Sequence, residues 1–115
     1  MTGPYDGYRD LQYLTGTLNT GSNSFVETTL TLSNVAALIK RIAITAAANS
    51  GFSLYKDSSA AATNLLDGEF VNAAIAAWGV GGEGLWVPKS STLVVRFFNQ
   101  PTNQDCTYNL LAAIK

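Results

Sequence analysis

The sequence predicts an all-β fold: a single-domain, jelly-roll-like β-sandwich of about seven or eight antiparallel strands, preceded by an extended N-terminal arm. Three observations carry this. Short runs alternate apolar and polar residues with the period of two that puts successive side chains on opposite faces of a strand. Clusters of Gly, Pro, Asn, Asp and Ser break those runs at short intervals. The length of 115 residues suits one domain with one core.

Residues 1–12 are read as the arm and 13–115 as the sandwich. The arm mixes Gly3, Pro4 and Gly7 with charge and with Tyr5 and Tyr8; Tyr13 follows directly. Tyrosine is favoured at interfaces because it buries a large ring and keeps a polar tip. Tyr5, Tyr8 and Tyr13 are therefore candidate interface residues, against the plainer reading that the arm folds onto its own domain.

Leu11 to Leu18 alternates loosely and ends at the turn cluster 19–23. Phe25 to Leu32 alternates cleanly, with Val26, Thr28, Leu30 and Leu32 on one parity. Val35 to Ala47 holds good helix formers, but the alternation of Leu38, Ile42 and Ile44 with Ile39, Arg41, Ala43 and Thr45 favours a strand from about Leu38 to Ala46. Phe52 to Lys56 is a short strand, and Asp57-Ser58-Ser59 could cap a helical turn through Ala62.

The stretch 58–84 carries the weakest signal. Leu65-Leu66 is apolar, Asp67-Gly68 reads as a turn, and Phe70 to Trp78 as one irregular strand. Gly79 to Gly84 is a glycine-rich loop. Trp86-Val87-Pro88 leads to a corner, because proline has no N–H to give a ladder. Leu93, Val95 and Phe97 then share one face of a strand, and Val94, Arg96 and Phe98 the other. Apolar residues on both faces mean that Val94 and Phe98 need cover from a flanking segment, the arm or a neighbouring subunit, so both are candidate interface residues. Tyr108, Leu110, Ala112 and Ile114 alternate along the closing strand.

Composition narrows function more by exclusion. Only 13% of residues are charged, about half the usual share of roughly 25%. A surface so poor in charge suits one that partners cover, or a Ser/Thr/Asn-rich β protein of extracellular type. Seven scattered basic residues against eight acidic ones leave a net charge of −1, so nucleic acid is not an expected partner. The longest apolar run, Val35 to Ala48, is broken by Lys40-Arg41 and too short to span a bilayer, so no membrane is expected either. Residues 1–6 lack the basic-then-apolar pattern of a secretory leader. Cys106 stands alone, so no intrachain disulfide framework can form; it is expected to be a small half-buried residue.

There is no histidine, which removes the commonest general base and metal ligand, and with it the usual triads of serine and cysteine hydrolases. The expectation is a protein without catalytic residues, metal or cofactor. Gly79-Val80-Gly81-Gly82-Glu83-Gly84 formally fits G-x-G-x-x-G, but a strand rather than a helix follows, so it fails the nucleotide-binding context. Asp67 and Glu69 on one side of the expected turn could hold a hard cation, although a solvated turn explains them as well. Trp78 and Trp86 bracket the glycine loop. With Gly81 and Gly82 they could form a sugar-stacking ligand loop; the plainer reading is one core and one interface tryptophan.

The aromatic segment of residues 1–13, the Ala/Ser/Thr/Asn-rich strands and the C-terminal run from Trp86-Val87-Pro88-Lys89 to Arg96-Phe97-Phe98-Asn99 together resemble small sandwich proteins of tailed-phage virions, notably capsid decoration (cement) proteins. The resemblance spans the chain as a style and rests on no specific motif. It implies a non-enzymatic structural protein on the capsid surface of the virion, bridging major capsid protein subunits and assembling with sister subunits as a homo-oligomer such as a trimer. The competing expectation is a carbohydrate-binding or host-attachment module of a tail or head fibre.

Overall fold

A computed structural model describes residues 10–32, 35–59, 61–71, 74–80 and 84–114. Tyr5, Tyr8, Gly81 and Gly82 lie outside them. Strand β1 spans Asp10–Asn19, β2 Val26–Thr31, β3 Ala37–Thr45, β4 Ser50–Lys56, β5 Leu65–Val71, β6 Ile75–Gly79, β7 Leu85–Val87, β8 Thr92–Phe98 and β9 Asp105–Ile114. A 3-10 turn, Ala62–Asn64, precedes β5.

The strands form two antiparallel sheets, so the chain is an all-β sandwich. Sheet A has the order β1-β9-β3-β6, with β7 also on β3; sheet B has the order β2-β8-β4-β5. First pairs with last, second with second-last, third with sixth and seventh, fourth with fifth. That is one long hairpin wrapped over itself, the jelly-roll path. β6 and β7 meet successive parts of the same edge of β3, from Thr45↔Ile75 to Ala37↔Val87. They lie along β3 as two parts of one jelly-roll strand, β6 ending at Gly79 and β7 starting at Leu85, which gives nine strands among the described residues.

The sheets close on a core of Ile39, Ile42, Phe52, Leu54, Leu93, Val95, Phe97 and Leu110, all fully buried. Phe52 is central: its ring meets Phe97 tilted at 5.4 Å between centroids and Trp78 edge-on at 5.7 Å, an arrangement favoured by the aromatic quadrupole. The Trp78 indole Nε1–H donates to Asp67 Oδ2 at 2.8 Å. That bond links β6 of sheet A to β5 of sheet B and satisfies both polar groups at the sandwich edge.

Several expectations from the sequence change. β1 begins at Asp10, three residues inside the stretch read as arm. Asp67-Gly68 is no turn: β5 runs through it, with Leu54↔Asp67 and Ser53↔Gly68 in register. The irregular strand expected from Phe70 to Trp78 is two strands, β5 ending at Val71 and β6 starting at Ile75. Cys106 is fully buried rather than half-buried.

The most consequential change lies in β3. Its pairing with β9 steps from Ile39↔Ala112 to Arg41↔Leu111, leaving Lys40 as an extra, bulged residue. A bulge inverts the alternation beyond it. Ile39, Ile42 and Ile44 therefore all reach the core, while Leu38, expected beside Ile42, lies on the outer face opposite Ala113 and Trp86.

Polar side chains hold the loops at one end of the sandwich. Gln100 is 5% exposed; its Oε1 accepts from Ala47 N at 3.1 Å and its Nε2 donates to Phe98 O at 3.3 Å. Thr20 Oγ1 donates to Pro101 O at 2.8 Å and accepts from Gln104 N at 2.9 Å. Each side chain replaces backbone bonds that a loop cannot make within itself.

Candidate functional site

The outer faces of the two sheets differ. On sheet A, registers place Leu11, Ala113, Leu38 and Trp86 in one row across β1, β9, β3 and β7. The next row contains Tyr13, Leu111, Arg41 and Gly79. Ala113 and Leu38 are buried at the middle of the first row, while Leu11 and Trp86 are exposed at its ends. Tyr13 is 66% exposed and Ile75, further along the same face, 74%. Four of the six large exposed hydrophobics among the described residues thus share this face: Leu11, Tyr13, Ile75 and Trp86. Apart from the bulged Lys40, its charged strand positions among the described residues are Arg41 and, at the far end of β9, Asp105, which accepts from the Asn19 side chain at 2.8 Å.

A shallow concavity of about 170 Å³ lies on this face, lined by Tyr13, Arg41, Ala43, Asn109 and Leu111. Asn109 Oδ1 is buried there without a hydrogen-bond partner. Closer to the edge, Thr45 and Thr107 satisfy each other through their hydroxyls. The face is therefore apolar, poor in charge and one hydrogen bond short.

The structure separates the two tryptophans that the sequence brackets around the glycine loop. Trp78 stands opposite core-facing Ile42, and Trp86 opposite outward-facing Leu38. In a regular ladder those β3 positions, four apart, would share a face; the Lys40 bulge sends them to opposite faces. Trp78 and Trp86 therefore form no common stacking platform. The loop between them ends at Gly84, whose φ of +114° brings its backbone against β3: a Cβ there would sit 2.5 Å from Ile39 O. Glycine answers a close approach at this position, and the chain resumes directly as strand β7, with no helix to bind a phosphate.

Val94 and Phe98 sit on the outer face of sheet B, as their parity predicts; the chain buries Val94 and leaves Phe98 half-buried. Val94 is 5% exposed and stands opposite Tyr55. The Phe98 ring lies over Gly51, filling the space a side chain there would occupy. Val94 thus needs no outside partner, and the large exposed apolar surface lies on the other sheet. Sequence parity could not foresee this, because a glycine on the adjacent strand leaves no trace in the alternation of β8.

Arg96, between them, holds Glu27 at 3.4 Å and lies over the Phe25 ring at 4.3 Å. Asp67 and Glu69 lie on one side of β5 as alternate residues of a strand. The Asp67 carboxylate is occupied by Gly68 N at 2.9 Å and by Trp78. Among the described residues no three His, Cys, Asp or Glu side chains converge as a metal set. Burial, and secondarily Asp105, pushes the Cys106 thiol up to about 11, the opposite of what a nucleophile needs.

No family model and no curated protein matches the chain. Among solved structures it is similar to PliG of Aeromonas hydrophila, a periplasmic inhibitor of g-type lysozyme. The identity is 14%, the match covers 96% of this chain and 90% of that one, and the TM-score is 0.41.

Proposed function

We propose that the protein is a non-enzymatic virion structural protein that docks on the capsid surface of a tailed phage, with the major capsid protein and sister subunits as its partners. The observation that carries this reading is the outer face of sheet A, with Leu11, Tyr13 and Trp86 exposed around buried Leu38 and Ala113 and Ile75 exposed further along the same face. Exposed aromatic and aliphatic side chains around a charge-poor centre are the composition of an interface core. Asn109 Oδ1 adds an acceptor that a partner's donor would satisfy. In the sequence, Tyr5 and Tyr8 precede β1 within ten residues of Tyr13.

A shell offers the same site many times, so modest contacts on each copy combine by avidity. Trp86→Ala and Tyr13→Ala are expected to weaken co-sedimentation of the purified protein with capsid shells by about tenfold or more each. Both residues are exposed, so the fold should be unaffected. Unchanged co-sedimentation of the double variant would remove this face from the mechanism, and no co-sedimentation of the parent protein would remove the capsid.

A further inference from the structure

We propose a binding site for a neutral sugar residue on the outer face of sheet B, separate from the docking face and independent of it. A concavity of about 350 Å³ lies there, lined by Ser53, Tyr55, Leu65, Gly68, Glu69 and Phe98. Its form follows from the registers. Ser53 on β4 and Gly68 on β5 are paired and make the floor. Tyr55 and Leu65, also paired, make one wall. Phe98, lying over Gly51, stands on the other side. Gly68 keeps the floor low because it has no side chain to fill it. The volume falls within the range of small-molecule sites, about 300–1,000 Å³.

The second observation is Ser53 itself. It is 4% exposed, and its Oγ has no hydrogen-bond partner. A hydroxyl buried on the outward face of a sheet and left unpaired is costly. A ligand that supplied a hydroxyl would remove that cost. Ser53 is among the residues that line the concavity.

The lining selects the ligand's chemistry. Aromatic rings suit the C–H face of a pyranose. Arg96, directly across from Ser53 in register, repels cations, while Glu27 and Phe25 already engage its guanidinium. A purely apolar ligand would leave Ser53 unpaired. A neutral polyhydroxyl ring satisfies all of these constraints.

The test is a two-dimensional NMR titration of the full chain with neutral gluco-, galacto-, manno- and chito-oligosaccharides. Hexylamine and inorganic phosphate serve as charged controls. At least one oligosaccharide is expected to shift the amides of Ser53 and Gly68 with millimolar or tighter affinity. Ser53→Ala and Gly68→Val should each weaken that binding by about tenfold or more, while Trp86→Ala leaves it unchanged. The Gly68 position has room for a Cβ, its nearest neighbours standing at 3.4 and 3.8 Å, so the second variant fills the floor without displacing the strand. Three outcomes would overturn the proposal: no sugar shifts these amides, both floor variants bind as well as the parent, or hexylamine binds more tightly than every sugar.

Discussion

Replacing Ser53 with alanine should make the free protein more stable. The Ser53 hydroxyl is buried and has no partner. Leaving such a group unsatisfied costs about 1–3 kcal/mol. Deleting the oxygen leaves a void of one atom, worth roughly 0.3 kcal/mol at about 24 cal/mol per Å³, and alanine is a slightly poorer strand residue by a few tenths. The net gain is about 0.5–2 kcal/mol, a rise in Tm of roughly 2–8 °C for a domain of this size. Ser50 supplies the internal control. It lies three residues earlier on the same strand and is fully buried, but its Oγ donates to Ala47 O at 2.6 Å. Ser50→Ala should therefore lose about 1 kcal/mol. Urea denaturation of both variants beside the parent, with thermal melts as a second reading, gives the two signs directly. If Ser53→Ala proved less stable than the parent by more than about 0.5 kcal/mol, Oγ would have to be hydrogen-bonded, and the stability argument for a vacant floor would fail.

Three other outcomes are expected. Gly16→Val should cost about 1–3 kcal/mol in urea melts, because a Cβ at this position would sit 2.5 Å from the Tyr108 hydroxyl and 2.7 Å from its ring, which must then leave the core edge. Phe52→Ala should cost about 3–5 kcal/mol and change the near-UV signal of Trp78, whose ring it supports. Cys106 should resist alkylation at pH 8 in the native protein and react once urea unfolds it. Its thiol is raised from 9.0 to about 11 in the fold, so its contribution to stability is intact below pH 9 and is lost as pH rises towards 11, where the unfolded chain ionises first. Rapid native alkylation at pH 8, or stability rising across that window, would contradict the burial of the thiol.

What the sequence determined by itself is the strand content and most strand positions. Alternation is a local property: Val26 to Leu32, Leu93 to Phe97 and Tyr108 to Ile114 each declare their inward face without reference to any other strand, and Pro88 ends β7 where its missing N–H requires. The core side of β8 was legible for the same reason. What only the tertiary structure decided is everything that depends on register between distant strands. The Lys40 bulge moves Leu38 outward and parts Trp78 from Trp86, and no local pattern marks it, because Leu38, Ile42 and Ile44 satisfy an unbroken alternation in the sequence. Asp67-Gly68 looks like a turn until Ser53 and Leu54 pair with it. The exposed face of sheet A is assembled from residues on five strands and the concavity of sheet B from residues on three. Local propensity acts over a few residues; a surface is a property of pairing, and pairing is settled only when the whole hairpin wraps onto itself.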